Sequence, residues 1–433
     1  MKLRASFVLG GLLALSCLSL RAQPAAAPAA TPTAPSRFQL PATDDGLPGA
    51  GPIRRYEWFQ KLWTERRTQW AAQATRDQGA VVFLGDSITQ GWGTSLNALF
   101  LGIKTANRGI SGDTTRGVLI RLQEDVISLN PRAVVLLIGT NDLEEQAEPE
   151  TIGANLKLIL DALKAHNATM PIVLCNVFPS AEAKKRPAAQ IKKINQLYFA
   201  AIKDRPQVTV LDTWSLFADV KGDAKPDEFP DLLHPNAAGY ARWTMALRPV
   251  FEQLGLAPTW ADDFVPEPGF KSLFNGRDFT GWGTADGAAF DGKTESGDGR
   301  FIVRNGRIVV PASRQERAFA RLWTTQKFPR DFELKLEFRA GPNADSGLFV
   351  REPQLQVRDY LIAGPYAALK NYRPLEWNEI VVTVKGGLAH ATCNGEVLND
   401  AFVVPATGAI GLESDRGQME YRRIRLRELP ASQ

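Results

Sequence analysis

Between about residues 54 and 256, short apolar runs alternate with longer amphipathic stretches. The runs Ala80–Leu84, Ile103–Ala106, Ala133–Ile138, Pro171–Val177 and Val208–Leu211 predict buried strands. Helical spacing predicts helices near 55–76, 114–129, 151–166, 186–204 and 236–254. In the last of these, Tyr240, Trp243, Leu247 and Phe251 form one stripe. Strands alternating with helices imply a five-stranded, mainly parallel sheet covered by helices.

The pattern changes after Pro258. Short β-rich segments follow at Arg300–Val303, Arg307–Val310, Phe332–Phe338, Gly347–Val350, Ile380–Val384 and Tyr421–Leu426. Asn-Gly pairs at 275–276, 305–306 and 394–395 separate or flank them as turns. This predicts an all-β sandwich of roughly 160 residues. The expected layout is an α/β domain over 53–257, a linker over 258–267 and a sandwich over 268–429. No short-period repeat is visible.

Residues 23–52 are rich in Ala, Pro and Thr, with too little apolar surface to fold, and are expected to be a disordered linker. Ahead of them, Lys2 and Arg4 precede an apolar run from Ala5 to Leu20, then Arg21 and Ala22. This pattern is that of an export signal over 1–22, giving a periplasmic or secreted protein with no stable membrane span after cleavage. A membrane anchor is the alternative, disfavoured because the run is short. Cys17 raises a lipoprotein alternative, but Ala14-Leu15-Ser16 fits the small-residue box before a lipidated cysteine poorly.

Composition adds exclusions. Hydrophobic residues make up 44% and charged residues 23%, which is globular material. The net charge of +4 includes Lys2, Arg4 and Arg21, leaving 48 basic against 47 acidic residues beyond them. Nothing there points to nucleic acid or an anionic membrane. Cys175, in an apolar run, and Cys393, before a turn, fall in different domains, so no disulfide framework or metal spacing is evident.

Candidate chemistry begins with histidine, of which there are three. His166 ends a predicted helix, and His390 lies in a β segment. His234 lies in DLLHPNAAGY, three residues after Asp231 and just before Pro235, which can take the first helical position. A carboxylate at that separation can orient the imidazole. Such a pair alone is weak, because chance matches are common. Ser87, in FLGDSITQGW, lies just past the first strand, and ligands in such sheets bind beyond the carboxyl ends of strands. A plain strand-ending turn would account for it equally well. Two further strand ends weigh against that. NRGISGDTT leaves amides at Gly109 and Gly112 approachable, with Asp113 or Thr114 able to cap the next helix. LLIGTND puts Asn141, a neutral donor suited to an oxyanion, beyond the third strand. Asp86 and Asp142 are expected to buttress loops.

These four blocks, spanning about 54–256, resemble the SGNH or GDSL hydrolase superfamily. The texture is most similar to the branch of platelet-activating-factor acetylhydrolase catalytic subunits and bacterial acetylesterases. The first block reads GDSI rather than GDSL. The resemblance implies a three-layer α/β/α, flavodoxin-like fold. It implies Ser87 as nucleophile, Asp231 and His234 as acid and base, and Ser87, Gly112 and Asn141 as the oxyanion hole. His234 would take the Ser87 proton during attack on an ester and return it to the leaving alcohol. No cofactor or metal is needed.

Residues 268–429 resemble the 3-keto-disaccharide hydrolase-like domain, a concanavalin-type sandwich. The matching stretches are FKSLFNGRDFTGWG, DFELKLEFR, SGLFVR, LQVRDY, EWNEIVVTVKGG and GAIGLESDRGQMEYRRIRLREL. Gln354 stands where the family often has a glutamate, which argues against independent glycoside cleavage and for sugar binding. Arg351, Gln356 and Asp359, with Asp345 and Ser346, could line a concave sheet. Core packing is the expectation for most of Trp282, Trp323, Tyr360, Tyr366, Tyr372 and Trp377. The expected function is an exported esterase acting on short-chain, acetyl-type esters of carbohydrates. Its partner is an acylated carbohydrate or another small ester. The alternatives are a bifunctional enzyme that also cuts 3-keto-glycosides, a lipid acylhydrolase, and a non-catalytic carbohydrate-binding protein.

Overall fold

The computed structural model describes residues 37–259, 262–312, 319–359 and 364–430. The expected signal segment over 1–22, Cys17 and Tyr360 lie outside the described residues.

The first part is an α/β assembly of α1 (Glu57–Asp77), β1 (Val81–Gly85), α2 (Ser87–Gln90), α3 (Leu96–Leu99), β2 (Thr105–Gly109), α4 (Thr115–Asp125), β3 (Ala133–Leu137), α5 (Thr140–Glu144), α6 (Pro149–His166), β4 (Ile172–Cys175), α7 (Ala188–Ala201), β5 (Val208–Leu211), α8 (Thr213–Phe217) and α9 (Ala237–Gln253). The five strands form one sheet in the order β2-β1-β3-β4-β5, and every pairing is parallel. Strands β1 and β3 are buried along their whole length, which is why they read as continuous apolar runs. Apolar clusters cover both faces. One includes Val82, Leu136, Ile159 and Ile194; the other includes Phe83, Val135, Trp243 and Phe251. In the α9 stripe, Trp243, Leu247 and Phe251 are buried, and Tyr240 donates its hydroxyl to the Ile88 carbonyl.

The second part is a sandwich of antiparallel sheets. One runs in the order Glu396–Val403, Leu388–Cys393, Asn378–Lys385, Phe332–Ala340, Met419–Glu428, Arg307–Val310 and Ile302–Arg304. The other runs Gln354–Arg358, Asp345–Arg351, Ala409–Ser414, Ala320–Thr324, Phe279–Gly283 and Ala289–Phe290. Strand Phe332–Ala340 alternates strictly between buried and half-buried positions, so its leucines and phenylalanines face the core. Of the described aromatics expected in the core, Trp282, Tyr366 and Tyr372 are buried there. Trp323 and Trp377 are half-buried.

One expectation needs correction. The stretch 23–52 is not free over its described part. Leu40 packs with Phe59, Trp63, Trp70 and Ile110, Asp44 pairs with Arg55 and Arg116, and the Asn155 side chain bonds both backbone groups of Ala50. A few anchoring side chains hold a segment whose average composition looks disordered. Within the stretch 258–267, Asp262 and Glu267 pair with Arg423 and Arg425 of the sandwich.

The α/β part and the sandwich also meet directly. Glu252 of α9 pairs with Arg307 and Arg339, which also reach Glu420. Asn343 donates to Asp212, and Leu375 inserts among the apolar residues packed around Trp243. Breaking one member of such a buried charge group leaves the others uncompensated, so this contact resists piecemeal loosening.

Candidate active site

Residues from four loops at the carboxyl ends of the parallel strands line one cavity of about 440 Å³. They include Ser87, Gly112, Asn141, Asp231 and His234. Ser87 is the first residue of α2, so its amide lies ahead of the first intrahelical acceptor. Asp86 caps that helix by accepting from the Ile88 amide.

His234 is bonded through both ring nitrogens. Its Nε2 lies 2.9 Å from Ser87 Oγ, and its Nδ1 lies 2.7 Å from Asp231 Oδ2. The other Asp231 oxygen accepts from the amides of Leu233 and His234. These donors outweigh partial burial and hold the Asp231 carboxyl down at about 2. An ionised Asp231 fixes a proton on Nδ1, which leaves Nε2 basic and aimed at the serine. The turn between the two residues forces Leu232 to φ +60°, and Ser180 Oγ donates to the Leu232 carbonyl at 2.7 Å. Pro235 is not the first helical residue: α9 begins at Ala237, and Asn236 caps it through the Gly239 amide. An asparagine side chain accepts that amide, which proline cannot do.

The glycine turn holds its neighbours tightly. The Ser111 amide donates to Gln90, and that of Asp113 donates to the Ile110 carbonyl. Gly112 lies between them at φ +86°. A Cβ there would stand 2.6 Å from Trp58 Cη2 and 3.0 Å from Arg54 Nη1, so conformation and space both demand glycine. Thr114 caps α4, while Asp113 pairs with Arg121 at 2.7 Å. Asn141 Nδ2 donates to the Asp113 carbonyl at 2.9 Å, and Asn141 Oδ1 accepts from Arg186 at 3.1 Å. Asp142 accepts from the amide and hydroxyl of Thr115. Burial raises three carboxyls around these loops: Asp86 to about 7, and Asp113 and Asp142 to about 6.

Over its α/β part the chain is similar to GDSL-like acylhydrolases. The family model described as GDSL-like Lipase/Acylhydrolase matches residues 83–242. The model of the 3-keto-alpha-glucoside-1,2-lyase-like domain matches residues 269–427. Platelet-activating factor acetylhydrolase IB subunit alpha2 of Homo sapiens is 27% identical over 199 residues, 44% of this chain and 84% of the relative. A GDSL-like lipase structure from Bacteroides thetaiotaomicron is 24% identical with a TM-score of 0.39, covering 43% of this chain and 98% of that one. An acetyl xylan esterase structure from Geobacillus stearothermophilus is 23% identical with a TM-score of 0.33, covering 43% and 100%.

Arg186, Arg54 and Trp58 were not singled out by sequence, yet all three line the cavity. Arg186 sits in a Lys-Lys-Arg run that reads as a solvated face. It is buried instead, donating to the Thr140 and Lys184 carbonyls and to Glu144 as well as to Asn141. Arg54 pairs with Glu144 and Glu145.

In the sandwich, the expected set Arg351, Gln356 and Asp359 does not assemble. The Arg351 guanidinium is buried, donates to the Pro405 and Arg330 carbonyls at 2.7 Å each, and lies over the Phe332 ring. It clamps loops rather than facing a ligand. Asp359 is buried and accepts from the Asn343 amide. Ser346 points inward to Glu413 O and Tyr421, and Asp345 pairs with Arg358. Of that set of three, Gln356 alone is half-buried, on the outer strand Gln354–Arg358. Gln354 donates to the Glu413 carboxylate. A larger cavity of about 950 Å³ lies between α7, α9 and the sandwich loops around 341–343 and 416–418, and none of Ser87, Asp231 and His234 lines it.

Proposed function

We propose that this protein is an exported serine acylesterase that releases short acyl groups, acetyl first among them, from carbohydrates. The observation that carries this reading is the imidazole of His234, bonded at one nitrogen to Asp231 and at the other to Ser87 Oγ. Ser87 Oγ attacks the ester carbonyl as His234 Nε2 takes its proton. The tetrahedral oxyanion is met by the amides of Ser87 and Gly112 and by Asn141 Nδ2. Collapse returns the proton to the departing alcohol and leaves an acyl-serine. Water, deprotonated by the same imidazole, then releases the acid and restores the serine.

The cavity lining supports a short acyl group. Among the described residues its apolar lining is Trp58, Leu233, Ala183 and Gly112, and the rest is polar or charged, which suits a short acyl group better than a long one. Curated relatives named as acetylhydrolases support the acetyl preference. The attached 3-keto-alpha-glucoside-1,2-lyase-like domain supports carbohydrate. Export rests on the N-terminal pattern of Lys2, Arg4 and the apolar run behind them.

Ser87→Ala tests the reading. Acetate release from acetylated oligosaccharides and from p-nitrophenyl acetate should vanish, and a fluorophosphonate should label Ser87 in the parent protein. Full activity in the variant overturns the mechanism. A rate maximum at long acyl chains overturns the short-chain assignment.

A further inference from the structure

Trp58 lines this cavity and stands exposed, and the exposed ring of Tyr56 stacks beside it. Trp58 is 50% exposed and Tyr56 is 53% exposed. Their rings are nearly parallel, 9° apart in plane with centroids 6.3 Å apart. Tyr56 precedes α1 and Trp58 lies in its first turn. The next residue, Phe59, is buried and meets the Trp58 ring edge-on, at 5.7 Å and 84°. Trp58 is therefore braced from behind while its ring stays open to solvent. It also adjoins the chemistry, because its Cη2 edge fills the space that a side chain on Gly112 would need.

What sets this pair apart from other exposed apolar side chains is its place: two adjacent, nearly parallel rings, one of which lines the cavity that holds Ser87. A core role is excluded by the exposure, and the α1 residues that pack inward are Phe59, Trp63 and Trp70. A long acyl chain is a poor match, since apart from Ala183, Leu233 and Gly112 the cavity around Trp58 is polar or charged, with Arg54, Glu144, Lys184, Lys185 and Arg186 in its wall. A pyranose ring suits both halves. Its axial C–H face packs on an electron-rich aromatic face, and its hydroxyls point sideways to polar partners.

We infer that Trp58 is the subsite for the sugar ring that bears the ester, and that Tyr56 extends it to the next ring. This rests on the carbohydrate reading above but draws on the α/β part alone. Both aromatics lie outside the stretch matched by the acylhydrolase family, 83–242. The ring on Trp58 would present its acylated hydroxyl to Ser87, with the carbonyl oxygen towards Gly112 and Asn141.

The test compares the full-length parent, Trp58→Ala, Trp58→Phe and Tyr56→Ala on ethyl acetate, an acetylated monosaccharide and an acetylated tetrasaccharide. In Trp58→Ala the ratio of kcat/KM for saccharide over ethyl acetate should fall about tenfold, carried by KM, with Trp58→Phe intermediate. Tyr56→Ala should lower the preference for tetrasaccharide over monosaccharide. An unchanged ratio in Trp58→Ala overturns the subsite, as does an equal loss on every ester, which would make Trp58 a support for Gly112. Binding of the deacetylated tetrasaccharide, followed by ligand-observed NMR, separates the two readings. Trp58-dependent binding by a protein inert on all esters would overturn the esterase and keep the subsite. Ester turnover without saccharide binding would do the reverse.

Discussion

Arg186 donates to the carbonyl oxygen of Asn141 at 3.1 Å while the amide nitrogen of Asn141 donates to the Asp113 carbonyl at 2.9 Å. Flipping that amide would lose both bonds at once. The guanidinium therefore keeps the Asn141 N–H groups on the cavity side and withdraws charge from the amide, which strengthens the donor. Removing an oxyanion donor typically costs about a hundredfold or more in turnover, so Asn141→Ala should lower kcat by about that factor. Arg186→Gln should lower kcat by roughly tenfold with a smaller change in KM, because the donor stays but loses its orientation. Affinity for a phosphonate transition-state mimic should fall in parallel. A loss confined to KM would assign Arg186 to substrate binding instead.

The turn that carries Asp231 and His234 is held from outside. Leu232 lies at φ +60°, a region that non-glycine residues enter at a cost of about 1 kcal/mol or more. The Ser180 hydroxyl on its carbonyl is part of what retains it there. Ser180→Ala should lower kcat about three- to tenfold, a loss that reflects about 1 kcal/mol for one hydrogen bond. Leu232→Gly removes the conformational cost, so combining it with Ser180→Ala should recover part of the rate. Steady-state rates on ethyl acetate decide this, and no recovery in the double variant would mean that Ser180 acts by another route.

The residues meant to meet were legible because parallel βα units collect their strand ends at one edge of the sheet. Ser87, Gly112 and Asn141 each follow a strand, and Asp231 and His234 follow the fifth, so topology alone gathers them. Arg186 was hidden in a charged run, and nothing local reveals that such a side chain turns inward. Trp58 was hidden at the start of an amphipathic helix, where an aromatic reads as core. In the sandwich, strand alternation gave the inward residues well. It could not say that Arg351 would be taken up by the carbonyls of Arg330 and Pro405, since those loops are distant in sequence. Composition makes the segment 37–52 look disordered because it averages over neighbours, whereas Leu40 and Asp44 anchor the segment singly.

Asp86 ties stability to pH. It is fully buried, one carboxylate oxygen caps α2, and the other has no hydrogen-bond partner among the described residues. Burial is the main reason that its pKa rises from 3.8 to about 7, with Asp113 and Asp142 adding repulsion and Arg186 opposing it. A raised folded-state value means that the unfolded chain gives up the proton first. The stability contributed by the neutral form is complete below about 3.8 and is lost as pH rises through about 7. The parent protein should therefore melt at a lower temperature at pH 8.5 than at pH 6. Asp113 and Asp142, raised to about 6, contribute to the lower part of the same slope. Asp86→Asn keeps an oxygen to cap Ile88 and removes the titrating proton. It should flatten the decline between pH 6 and 8.5, which for this group amounts to about 1–2 kcal/mol in the parent. Melting curves across that range are the measurement, and parallel slopes for parent and variant would show that Asp86 is not the group being titrated.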